Sequence, residues 1–281
     1  MIEFIKYHGN GNDFLIINGV TQEVLNPRKL AKSLCHRQFG FGADGLIIFG
    51  KSDQVKFKME IINADGSIAN MCGNGLRCLA AYIVDEGLTE EKSFYIETRS
   101  GIRHVNVTKE RLVQIELKPA IFDVKDLNVR SDEKHIIDQP MLIHQQLIRF
   151  SVLKVDVLHC VVIVPSLSNF PVEAYGKHIS ELPLFPDRAN VNFVEIVDNN
   201  LMKVRTYERG VGPTLACGTG VVASSVIAHK LKQMGNKIAV ETLGGPLSVE
   251  ITPDTLYLMG PVCRVGKGYF EWNLKESRGM E

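Results

Sequence analysis

No charge of either sign predominates: 32 Lys plus Arg face 32 Asp plus Glu across 281 residues. A binder of duplex nucleic acid needs a basic face for the phosphates, so no nucleic-acid partner is expected. Long apolar runs are missing too. The longest, such as residues 157–165, fall well short of the roughly 18 residues that a spanning helix needs. Residues 1–14 do not read as a secretory signal, and the expected compartment is the cytoplasm, with no membrane partner. Cysteine is sparse, six in all, and no two have the C-x2-C spacing of a metal knuckle or redox motif. Neither a disulfide scaffold nor a metal site is expected; reduced thiols would do nucleophilic or proton-transfer chemistry. A P-loop is lacking, as is any lysine in a setting that suggests a pyridoxal Schiff base. No cofactor is implied.

What is present is an ordinary globular composition, 45% apolar, and a length that favours two domains. The chain also repeats itself. Residues 72–75 read CGNG and 217–220 read CGTG, an offset of 145; ETRSG at 97–101 returns as ETLGG at 241–245, an offset of 144. Val105, Val107, Thr108 and Leu112 recur at that same 144 as Val249, Ile251, Thr252 and Leu256. Alternating apolar segments precede both loops: Val55, Phe57, Met59 and Ile61 in the first copy, Met202, Val204 and Thr206 in the second. Matching flanks over about fifty residues identify an internal duplication.

Each copy runs strand, Gly-rich loop with Cys, helix, strand, hairpin. The spacing predicts a helix over 74–85, with Leu76, Leu79, Ala80 and Ile83 on one face and Gly87 as its stop. A second helix over 219–233 is apolar or small almost all round and so belongs at the centre of its domain. Period-2 runs at 102–107, 112–117, 247–251 and 255–259 read as hairpin strands, with turns at Lys109-Glu110 and Pro253-Asp254. Asn26 and Pro27 read as the cap and first residue of a peripheral helix. The expected fold class is α/β, in the α+β sense: two pseudo-symmetric domains, each a mostly antiparallel sheet wrapped around a central helix. With the join near 118–123, the N-terminal domain takes 1–118, joined by 264–281, and the C-terminal domain takes 119–263.

Cys72 and Cys217 each stand just before Gly-x-Gly at an expected helix N-terminus, where unpaired N–H groups and the positive dipole end favour a thiolate. The amides that follow, Gly73 and Asn74 in one copy and Gly218 and Thr219 in the other, can hold a carboxylate, with glycine admitting close approach. A lone cysteine is ordinarily a small buried hydrophobe, and Cys35, Cys78, Cys160 and Cys263 are read that way. The same residue at the same place in a duplicated loop points elsewhere. Two thiols flanking one α-carboxylate suit removal of the α proton from one face and delivery of a proton to the other, which inverts a stereocentre. GTGVVA at 218–223 does fit the dinucleotide fingerprint G-x-G-x-x-A, yet ERGVGPTLA separates it from any preceding strand. A dinucleotide-binding oxidoreductase is the remote alternative.

HGNGNDF at 8–14, GFGADG at 40–45, NADGSIANMCGNGLRC at 63–78, RANVNFV at 188–194 and ERGVGPTLACGTG at 208–220 carry a wider resemblance. Over nearly the whole chain the sequence resembles the cofactor-independent amino-acid racemases and, within them, the diaminopimelate epimerase family. The resemblance implies a cytoplasmic homodimer without metal or cofactor, acting on a small amino acid. It implies conversion of LL- to meso-diaminopimelate in lysine and peptidoglycan precursor synthesis. Cys72 and Cys217 would then be the acid and base pair. Asn12, Asn63, Asn190, Glu208 and Arg209 would bind substrate, with the amides of Gly73, Asn74, Gly218 and Thr219 at the reacting carboxylate. His159 and Glu208 would set the thiol pKa values, and the planar fork of Arg209 would clamp the distal carboxylate. One segment departs from the family. Where it has Gly-Asn-Pro-His, this chain reads Asp156, Val157, Leu158 and His159, and valine cannot give the distal end of the substrate the hydrogen bond of that asparagine. A racemase of another amino acid, using the same two-thiol chemistry, is the alternative this departure raises.

Overall fold

The structure, a computed structural model, describes residues 1–272. It divides into two compact units, Met1–Ile115 with the chain from Gly260 onward, and Glu116–Met259.

The first unit opens with antiparallel strands β1 (Ile2–Gly9) and β2 (Asn12–Asn18), joined through Asn10 and Gly11 at φ 53° and 85°. Asn-Gly suits a two-residue hairpin turn because both central residues enter the left-handed region. Helix α1 (Pro27–Leu34) buries Leu30, Ala31 and Leu34 and carries the chain to β3 (Gly45–Gly50), which runs parallel to β2. Asn26 does precede this helix, but at φ 50° and without the side-chain capping bond that the sequence suggests. The fixed φ of Pro27 is what suits the helix start. Strand β4 (Phe57–Asn63) pairs with β3, and β5 (Ile68–Ala69) folds back on β4. Next come α2 (Gly73–Asp85) and the meander β6 (Ser93–Thr98), β7 (Gly101–Val107) and β8 (Leu112–Leu117), with β6 parallel to β4. Helix α2 is buried from Gly73 to Ile83 rather than on one face.

The second unit holds β9 (Gln139–Ile143), β10 (Gln146–Val155) and β11 (Val157–Ile163), then α3 (Val172–Ser180) and β12 (Asn190–Ile196), which lies parallel to β11. After β13 (Leu201–Glu208) and the short β14 (Gly212–Thr214) comes α4 (Gly218–Lys230). The hairpins β15 (Lys237–Thr242), β16 (Gly245–Ile251) and β17 (Leu256–Pro261) follow, with β15 parallel to β13. Finally β18 (Cys263–Phe270) pairs with β1 in the first unit. Residues 273–281 of the tail expected to join the N-terminal domain lie outside the described residues.

The repeat is thus β4-β5-α2-β6-β7-β8 against β13-β14-α4-β15-β16-β17, and it reaches further upstream than any recurring motif. An antiparallel pair, a helix and a parallel strand form β1-β2-α1-β3 and again β10-β11-α3-β12. Helix α4 ends at Lys230, three residues before the expected Gln233, because Lys232 at φ 57° turns the chain. Leu88 and Gly87 donate backbone bonds to Ile83 and Val84; Gln233 and Lys232 donate the equivalent bonds to Ala228 and His229. Both helices close with the same left-handed C-terminal motif. Among the remaining cysteines, burial pushes the Cys35 thiol up to about 12 and raises Cys78 and Cys160 as well, which makes them poor nucleophiles. Cys263 departs from its expected core role: it is exposed, on a strand at which only Gly268 and Phe270 are even half-buried.

Candidate active site

In the first unit, Cys72 is the N-cap of α2, with extended backbone (φ −142°, ψ 120°) and a half-buried side chain. The helix start sits tight on the sheet: a Cβ at Gly75 would lie 3.1 Å from Ile61 Cδ1 and 3.2 Å from Ile47 Cδ1. Cys72 Sγ donates to Asn12 Oδ1 at 3.5 Å, and Asn74 Nδ2 donates to the same oxygen at 3.2 Å. Asn12, Cys72, Gly73 and Asn74 therefore form one cluster. Asn63 ends β4 opposite Gly45, and its Nδ2 donates to Ser67 Oγ at 2.9 Å, which makes it a turn residue beside the cluster. Behind the cluster lies Arg77, fully buried, giving Nη1 to Pro261 O (3.0 Å) and Nη2 to Asn10 Oδ1 (2.9 Å) and Asn74 Oδ1 (2.7 Å). A buried guanidinium keeps its charge, and here it meets neutral oxygens.

In the second unit, Cys217 is the N-cap of α4 (φ −112°, ψ 110°), 8% exposed, with Sγ 3.6 Å from Thr219 Oγ1. Gly218, Thr219 and Gly220 follow as in the first copy. A Cβ at Gly220 would overlap Asn192 Oδ1, so this glycine is required by close approach. Asn192 is held by Thr206, whose hydroxyl donates to Oδ1 at 2.9 Å, and its Nδ2 lies 3.1 Å from His159 Nδ1. With Nδ1 accepting, the proton of His159 sits on Nε2, which has no hydrogen-bond partner among the described residues. His159 is fully buried; desolvation first, and the charge of Arg209 second, hold its pKa down to about 3. His159 is therefore neutral, and any influence it has on a thiol is that of a dipole rather than of a cation.

Arg209 donates its backbone N–H to Asn190 Oδ1 at 3.0 Å and Nη1 to Asp187 O at 3.2 Å. Glu208 Oε1 accepts from Thr214 Oγ1 at 2.8 Å. Asn190, Glu208, Arg209 and His159 thus belong to neighbouring positions on β11, β12 and the end of β13. Asp156 stands at φ 55°, a conformation glycine takes freely, as expected if Asp156 and Val157 replace the family's Gly-Asn. As site residues, sequence reading passes over Asp44, Arg77, Asn192 and Thr206, the last of which is read only as part of a strand. A cation inside an otherwise apolar helix and a second asparagine two residues after Asn190 on a buried strand are signals that were there to be read.

Each unit therefore presents a cysteine at the amide-rich start of its central helix, with asparagine and charged side chains nearby. The chain matches the diaminopimelate epimerase family over residues 4–122 and 153–265. It is 39% identical over 277 residues to the diaminopimelate epimerase of Alkaliphilus metalliredigens, covering 96% of this chain and 97% of that one. With the diaminopimelate epimerase of Acetivibrio thermocellus it shares 35% over 278 residues, covering 97% and 99%. A hydroxyproline epimerase from Agrobacterium vitis has a similar fold, with TM-score 0.70 at 16% identity over 95% of this chain and 90% of that one. So does a phenazine biosynthesis protein of the PhzF family from Bacillus anthracis, with TM-score 0.70 at 18% identity, covering 96% and 99%. These two show the two-domain fold alone. The near-complete match in sequence shows more: the chain belongs to the diaminopimelate epimerase family.

Proposed function

We propose that Cys72 and Cys217 are the acid and base of a cofactor-independent epimerisation. The chain is an isomerase that converts LL- to meso-diaminopimelate. One cysteine, as thiolate, takes the α proton from one face; the carbanion that forms is stabilised by the amides of Gly73, Asn74, Gly218 and Thr219 around the α-carboxylate. The other cysteine, as thiol, delivers its proton to the opposite face, and the two exchange roles when the reaction runs backward. Arg209 clamps the distal carboxylate, Glu208 meets the distal ammonium and helps set the thiol pKa values, and Asn12, Asn63 and Asn190 complete the substrate contacts. His159 contributes as a neutral donor. The observation that supports this reading is the recurrence of Cys-Gly-x-Gly as the N-cap and first turn of both α2 and α4.

The test is turnover of LL-diaminopimelate in deuterated water with fresh reductant. Product should carry deuterium at one α carbon, and no exchange overturns the reading. Cys72→Ala and Cys217→Ala should each abolish epimerisation while melting cooperatively near the wild-type temperature; retained turnover in either refutes the two-thiol mechanism. The enzyme works in the cytoplasm as a homodimer, a reading supported by the family resemblance and by Val265 and Tyr269, each 56% exposed on β18. Sedimentation should give the mass of two chains.

A further inference from the structure

Between the β1–β2 turn and the start of α2, the orientation of two asparagine amides is dictated from both ends. Arg77 can only donate, so Asn74 turns its oxygen to Nη2 (2.7 Å) and is left to donate Nδ2 to Asn12 Oδ1 (3.2 Å). Asp44, as a carboxylate, can only accept, so Asn12 turns Nδ2 to Asp44 Oδ2 (2.6 Å), leaving Oδ1 to face Asn74 and the thiol of Cys72 at 3.5 Å. The carboxylate is itself fixed: Oδ2 also accepts from Asp13 N at 3.1 Å and Oδ1 from Arg37 Nη2 at 2.7 Å. Arg37 and Lys6 also grip Asp13, at 2.9 and 2.8 Å. A flipped Asn12 would set its nitrogen against Asn74 Nδ2 and withdraw the acceptor from the thiol.

We infer that Asp44 is a positioning residue for the epimerisation, acting through Asn12 to keep a hydrogen-bond acceptor facing Cys72. Arg77 does the same for Asn74 from the other end. The inference rests on Cys72 being one of the acid/base pair. Asp44 itself lies one side chain away from the sulfur, so its effect must pass through Asn12.

A double-mutant cycle on LL-diaminopimelate turnover reads that dependence directly. Asp44→Asn, which removes the charge at constant size, should lower kcat roughly 10- to 100-fold while KM moves less than about threefold. Added to Asn12→Ala, the same substitution should change kcat by less than about twofold, because the group it positions is already gone. Arg149→Met, which breaks the exposed ion pair with Asp138 and touches no part of this network, should leave kcat unchanged. Additive effects of Asp44→Asn and Asn12→Ala, or equal kcat losses in Asp44→Asn and Arg149→Met, overturn the inference. Full activity in Cys72→Ala would instead remove the reading beneath it.

Discussion

Val157 begins β11 directly after Asp156, whose backbone takes the left-handed conformation that glycine adopts freely. A buried carboxylate short of one hydrogen bond costs about 1.5–3 kcal/mol, so Val157→Asn should lower KM for diaminopimelate about tenfold or more and leave kcat nearly unchanged. Initial rates across substrate concentration would check this; an unchanged KM would mean the distal carboxylate is satisfied by other groups. His159 makes a different kind of prediction. Its folded pKa of about 3 lies below the unfolded value of 6.5. Between those values the unfolded chain binds a proton that the folded chain refuses, so stability present above pH 6.5 is lost as pH falls toward 3. At pH 5 the loss is about 2 kcal/mol. His159→Gln removes it, so the stability gap between wild type and variant should narrow by about that amount from pH 7 to pH 5 in urea titrations. Both predictions concern residues visible in the sequence, yet only the fold shows that the imidazole is sealed from water and neutral.

At the scale of elements, the ends of the two central helices give the clearest comparison. Gly87 and Lys232 occupy equivalent places, at φ 65° and 57°, and close the same backbone bonds. Glycine announces such a stop; lysine does not, which is why the sequence extends α4 to Gln233. An L-residue held in the left-handed region costs about 1 kcal/mol relative to glycine. Lys232→Gly should therefore raise the melting temperature by roughly 2–4 °C, and Gly87→Ala should lower it by a similar amount, both read by calorimetry. The same logic explains which half of the repeat was legible. In the Cys-Gly-x-Gly loops, Gly75 and Gly220 are held by close approach of Ile61 and Asn192, which leaves little room for another residue. The segments β1-β2-α1-β3 and β10-β11-α3-β12 need only burial and pairing, which many side chains satisfy, so the two copies share architecture without sharing letters.

For the whole molecule, the course of the chain makes the two units unequal. The second is a continuous stretch, Glu116–Met259, whereas the first is closed by residues that return after it. That return carries specific weight. Strand β18 covers the outer edge of β1 from Ile2 to His8, Phe4 packs so closely over Gly268 that a Cβ there would lie 2.6 Å from its ring, and Pro261 supplies one acceptor of the buried Arg77. A chain ending at Met259 would expose Ile2 and Phe4 and strip a buried charge of a hydrogen bond, about 3 kcal/mol or more in sum. Nearly all of that falls on the first unit. Hydrogen exchange followed by mass spectrometry should then show amides of β1 and β2 exchanging over about a hundredfold faster than in the full chain, while β10 to β13 keep their protection. Equal loss in both sets would mean that the units, though compact, unfold as one.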